Sequence, residues 1–261
     1  MRQLRLLAAV AVVVGHGYVL NGETPAPRVG GIPLHTLGLY VFFTISGYLI
    51  TSSWNRWPNL PSFVRNRALR ILPALAAVVL LTVVVIGPLA TELTLSEYLN
   101  TPQTWLYLSG VLLVCSYFAL GALACHLRVD RRHFPALLMA CLVVGWLLLG
   151  EFIAPIATIC AWAVVPAAVL TIALRSKNTR SGVDLSYGVY LWGYPIQQLV
   201  LQVNPDLPVV YSVALTILFT LAVATLSWHH LEAPALGLKR LVRPRAIPRR
   251  QPKSAPCVTT A

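Results

Sequence analysis

Apolar runs of about twenty residues, divided by short basic segments, recur from the first residues of the chain to about residue 230. A bilayer core takes roughly 20 apolar residues as helix, and in lipid every backbone group must be satisfied within the segment. On that ruler about eight spans are expected, near 4–20, 37–53, 71–89, 104–127, 134–150, 156–174, 184–202 and 209–230. Composition agrees, since 57% of residues are hydrophobic and only 11% charged, against about a quarter charged in a soluble domain. The expected fold is an all-α polytopic membrane helix bundle, with a transmembrane domain over residues 1–235.

The charge is one-sided, with 20 Lys+Arg against 8 Asp+Glu. Nucleic-acid domains carry such an excess on a polar, soluble face; here the bases fall between apolar runs, so nucleic acid is excluded as a partner. Arg2 and Arg5 open the first span, Arg56, Arg65, Arg67 and Arg70 follow the second, and Arg128, Arg131 and Arg132 follow the fourth. Arg175, Lys177 and Arg180 follow the sixth, and seven more bases follow the eighth. With about eight spans all of these fall on one side, which predicts both termini in the cytoplasm. No A-x-A cleavage site follows the first span, so it is read as retained. Residues 236–261, rich in Pro and basic residues, are expected to form a disordered cytoplasmic tail drawn to anionic lipid. The five cysteines are scattered without metal-ligand spacing, and no metal site is expected.

Polar residues inside such spans need a reason. Arg5 and His16 are separated by three helical turns and share a face, about 16 Å apart along the axis. The arginine falls at the cytoplasmic boundary and the histidine about half-way across. An imidazole there either faces a cavity or hydrogen-bonds across helices as packing. In FVRNRALRILPAL, Arg67 and Arg70 are helix-face neighbours whose guanidinium forks suit phosphate, or else hold a loop inside. The aromatic-rich DLSYGVYLWGYPIQQ is read as broken at Pro195, with Gln197 and Gln198 placed to line a polar cavity. Ser46, Tyr187 and Tyr190 are further cavity-lining candidates, although Ser46-Gly47 also suits close helix packing. His229 and His230 lack ligand spacing and are read as interfacial.

Five stretches in order, R-x10-H at Arg5 and His16, YVFFTISGYLIT, FVRNRALRILPAL, SYGVYLWGYPIQQ and HHLEAPALGLKR, resemble acyltransferase family 3. These are membrane-bound, acyl-CoA-dependent O-acyltransferases that modify bacterial surface sugars. The resemblance implies His16 as the catalytic residue, and Arg67 and Arg70 with Arg5 in donor binding or positioning. It implies acyl-CoA, acetyl-CoA foremost, as co-substrate with no bound cofactor, a carbohydrate acceptor, membrane lipid as surroundings, and a multi-pass place in the bacterial inner membrane. Relatives typically have ten spans and carry a W-T-L-x-x-E-type segment with an embedded glutamate. Here EYLNTPQTWLYLSGVLLVCSYF runs on without one, as in a family member lacking an internal piece of roughly two spans. A catalytically silent member acting as a membrane partner is the alternative. A transporter is a third, against which stand the lack of acidic residues in most spans and of paired repeats.

Overall fold

The computed structural model describes residues 1–23, 25–56, 58–82, 84, 103–128, 136–150, 154–175 and 183–241. Among these the chain is a bundle of helices: α1 (Arg2–Leu20), α2 (Leu34–Arg56), α3 (Leu60–Leu81), α4 (Gln103–His126), α5 (Ala136–Gly150), α6 (Ala154–Arg175), α7 (Ser186–Val203) and α8 (Val209–Ser227). A π-turn over Trp228–Glu232 joins α8 to a short α9 (Ala233–Leu241). The one exception to helix is a two-residue antiparallel hairpin, β1 (Arg28–Val29) with β2 (Ile32–Pro33), pairing Arg28 with Pro33 and Val29 with Ile32. Its two-residue turn is Gly30-Gly31, with φ of +55° and +76° that glycine takes without strain.

The helices lie where the apolar runs fall, with two differences. The helix expected over 71–89 begins at Leu60, because the Asn59 side chain accepts from the Ser62 backbone N–H at 3.0 Å and Pro61 suits the first turn. Arg65, Arg67 and Arg70 therefore stand on the same helix as the apolar run, with Arg67 and Arg70 three residues apart on it; residues 85–102 lie outside the described part. The break expected at Pro195 does not occur, since α7 runs through it from Ser186 to Val203. The residues expected to begin the tail are partly helical in α9, and residues 242–261 lie outside the described part.

Four helices are long and apolar enough to cross a membrane among the described residues: Arg2–Leu20, Leu34–Arg56, Thr158–Arg175 and Val209–Gly237. Large apolar side chains face outward on many of the helices, among them Leu7, Leu80, Leu148, Ile159 and Leu218. That is the inverse of a soluble protein and the signature of a helical membrane bundle.

Lipid tails are as apolar as leucine, so helices here associate through close approach and internal polar contacts. On α8 the inward stripe is Ser212, Thr216, Thr220, Ala224 and Ser227, all buried. Helix α1 is central, packed against α2, α7 and α8. A Cβ on Gly38 would come within 2.6 Å of the Ala8 carbonyl oxygen, and one on Gly193 within 2.6 Å of a Val13 methyl. Helices α2 and α4 meet at Gly47 and Gly121, where a Cβ would overlap the Phe118 and Thr44 carbonyls respectively. A second core joins Ile32 of the hairpin with Tyr40, Tyr117, Trp146, Ala161, Val164 and Val165.

Candidate functional site: two polar clusters along the first helix

Helix α1 carries a charged cluster at its start and an imidazole cluster near its end. At the start, Arg5 Nη1 lies 3.4 Å from Asp184 Oδ2, with the two side chains only 9% and 7% exposed. Arg70 of α3 pairs with the same carboxylate oxygen, and the Ser186 hydroxyl donates to Asp184 Oδ1 at 2.6 Å. Asp184 stands just ahead of α7. Burial works against its charge, but Arg5, the Ser186 hydroxyl and Arg70 together hold the carboxyl below its ordinary range. The Arg5 guanidinium also sits 4.7 Å over the Phe42 ring, which in turn stacks on Tyr190 at 5.1 Å.

Arg67 lies 5.5 Å over the Phe63 ring and has no carboxylate partner among the described residues. Tyr187 donates to the Ile71 carbonyl at 3.0 Å, tying α7 to α3 in the same region. Ser46 is one turn beyond Phe42 on α2, hence on the face that meets Arg5. Glu232, buried in the π-turn, lies in the field of Arg70 and Asp184. Such turns often mark functional positions.

Near the other end of α1, the His16 ring stacks on His35 with centroids 4.9 Å apart and planes 26° from parallel. Tyr194 meets His16 edge-on at 5.8 Å, and Gln198 Nε2 donates to the Tyr194 hydroxyl at 3.0 Å. Gln197 is fully buried and donates to the Val13 carbonyl at 3.2 Å, so it serves to join α7 to α1. Gly15 permits the imidazole pair: a Cβ there would come within 2.8 Å of the His35 Cβ. His16 is four residues from the last residue of α1, toward that end of the helix.

The residues singled out in the sequence thus divide between two places. Arg5, Arg67, Arg70, Ser46, Tyr187 and Tyr190 surround the charged cluster, whereas His16, Gln197 and Gln198 belong to the far end. Sequence reasoning missed Asp184, Phe42, His35 and Tyr194. One signal could have found Asp184: a buried arginine at the basic side needs a carboxylate, and the expected topology leaves only Asp130, Asp184 and Glu232 there. His35 gave no such signal, because a histidine at the start of a span reads as part of the connecting loop.

Residues 1–107 match the family model described as an acyltransferase domain. The chain is 37% identical over 97 residues to the O-acetyl transferase of Shigella phage Sf6, a stretch covering 37% of this chain and 28% of that protein. It is 39% identical over 79 residues to nodulation protein 10 of Rhizobium leguminosarum bv. viciae, covering 28% of this chain and 20% of that protein. No solved structure matches. The chain thus spans under a third of each of these curated relatives. The family match holds Arg5, His16, His35, Arg67 and Arg70, and it ends within the stretch where the internal piece is expected to be missing; Asp184 and the α7 residues lie beyond it. Over residues 1–107 the chain is thus similar to the acyltransferase domain that its motifs resemble.

Proposed function

We propose that the protein is a bacterial inner-membrane O-acyltransferase, moving an acetyl or related acyl group from cytoplasmic acyl-CoA to a hydroxyl of a surface or exported glycan. Both termini and the charged cluster then face the cytoplasm, and the imidazole cluster faces the opposite side. The observation that carries this reading is the placing of arginines and an accessible imidazole pair at opposite ends of one helix, about 16 Å apart. A donor with phosphates at one end and a thioester at the tip of a long arm fits that separation.

Arg67 and the partly exposed Arg70 are the guanidiniums available to donor phosphates; Asp184, held by Arg5, fixes the place of Arg70, and the Phe63 ring lies under Arg67. At the other end His16 accepts the proton of the acceptor hydroxyl as its oxygen attacks the acyl carbonyl. The C–S bond breaks, and the coenzyme thiolate leaves and takes up the proton that the imidazolium gives back. No bound cofactor is needed for this balance.

Deleting the gene and examining the cell's surface glycan by mass spectrometry tests the reading. The expected result is loss of base-labile acyl groups, restored by the intact gene and not by His16→Ala. A glycan with unchanged acylation favours the silent-member reading.

A further inference from the structure

We infer that His35 is a second acceptor-binding imidazole, and that the acceptor unit presents two neighbouring hydroxyls, one to His16 and one to His35. The inference rests on the reading of His16 as the base. His35 Nδ1 is buried without a hydrogen-bond partner, so the open edge of this half-buried ring is its Nε2 side. A stranded ring nitrogen costs free energy that a phenyl ring in the same stack would not. Mere packing against His16 therefore fails to explain an imidazole at position 35, whereas a use for its other nitrogen does.

The stack supplies the geometry. Ring centroids 4.9 Å apart, with planes 26° from parallel, bring the two imidazoles within reach of one sugar unit, with the exposed Tyr194 beside them. Neighbouring hydroxyls on a pyranose ring lie about 3 Å apart, and a hydrogen bond of about 2.8 Å from each reaches outward to the two rings. With Nδ1 enclosed, the hydrogen of a neutral His35 sits on Nε2, and this N–H donates to the second hydroxyl while His16 takes the proton of the first. Gly15, which cannot carry a Cβ beside His35, keeps the two rings together. The proposed specificity is for a vicinal diol over a lone hydroxyl.

The test uses the full chain in proteoliposomes with acetyl-CoA and methyl hexopyranosides of gluco, galacto and manno configuration, each beside its monodeoxy derivatives. The wild type should acylate a diol about tenfold or more faster than the derivative lacking the neighbouring hydroxyl. His35→Phe keeps the stack, so it should lower the diol rate toward that of the deoxy sugar and abolish the preference between them, lowering the deoxy rate far less. His35→Gln should restore part of the preference. An equal fall for both acceptors in His35→Phe, or a preference that survives it, overturns the inference while leaving the His16 reading in place. Activity that survives His16→Ala sinks the His16 reading itself. As a measurement independent of turnover, diols and not deoxy sugars should protect His16 and His35 from diethyl pyrocarbonate; a panel that is neither acylated nor protective also overturns the inference.

Discussion

Replacing Asp184 by Asn tests the charged cluster without reference to activity. The Arg5 and Asp184 side chains are 9% and 7% exposed, so removing the carboxylate leaves a desolvated guanidinium unpaired. Breaking a buried pair from one side costs about 3–5 kcal/mol. Arg70, 31% exposed, keeps water as an alternative partner, and its share is within about 1 kcal/mol. The Phe42 ring 4.7 Å from Arg5 is the same in both proteins and does not enter the difference, whereas an amide oxygen at position 184 still accepts from the guanidinium and puts the cost at the lower end of that range. The net expectation is a loss of about 3 kcal/mol, or a fall of roughly 6–12 °C in Tm for a chain of this size. The assay is thermal unfolding of the detergent-purified protein, with Arg5→Met combined with Asp184→Leu as the matched apolar pair. The double variant should recover most of the loss, because it strands no charge. A fall of under about 1 kcal/mol in Asp184→Asn, or a double variant worse than either single one, refutes the reasoning.

The same carboxylate sets a pH dependence. Its folded pKa is lowered, so its contribution is complete above the unfolded value of about 3.9 and is lost as pH falls through the folded one; the Tm gap between the wild type and Asp184→Asn should be constant from pH 5 to 8 and narrow in acid. Gly47→Ala should cost about 1–3 kcal/mol by pushing α2 from the Phe118 carbonyl on α4, read as lost yield of folded protein, while Gly22→Ala, with open space around it and a φ of +73°, should cost about 1 kcal/mol from the backbone alone. Arg67→Ala with Arg70→Ala should weaken acyl-CoA binding, and the Lys pair should restore it only in part for lack of the bidentate fork, as read by donor titration. Topology reporters at about residues 62, 130, 178 and 240 should read cytoplasmic and those at about 25, 96, 153 and 205 external; an external reading at 130 removes the proposed orientation.

The spans were legible because lipid imposes one rule on every residue of a crossing helix, and length and apolarity together report it. His16 was legible for the same reason, as a polar group in the wrong solvent. Where α1 ends was not legible, since Asn21 ends it by donating to the Gly17 carbonyl at 2.7 Å. The arginine cluster could be read from its spacing, but its partner could not: Asp184 is 179 residues from Arg5, in a segment too short for any periodicity. The glutamines looked alike, yet Gln197 turns inward to the Val13 carbonyl and Gln198 outward to Tyr194, a difference of one residue on a helix face. Pro195 looked like a break, but α7 is held on both sides by α1 and α8, and close packing keeps it helical.

The most direct measurement is transfer of radiolabelled acetyl from acetyl-CoA to bacterial surface glycan by proteoliposomes holding this chain, set beside His16→Ala at equal insertion. Transfer by the wild type is expected, with a loss of about a hundredfold or more in His16→Ala, the range for removing a general base. No transfer by the wild type, or equal transfer by the two proteins, would contradict the proposed function.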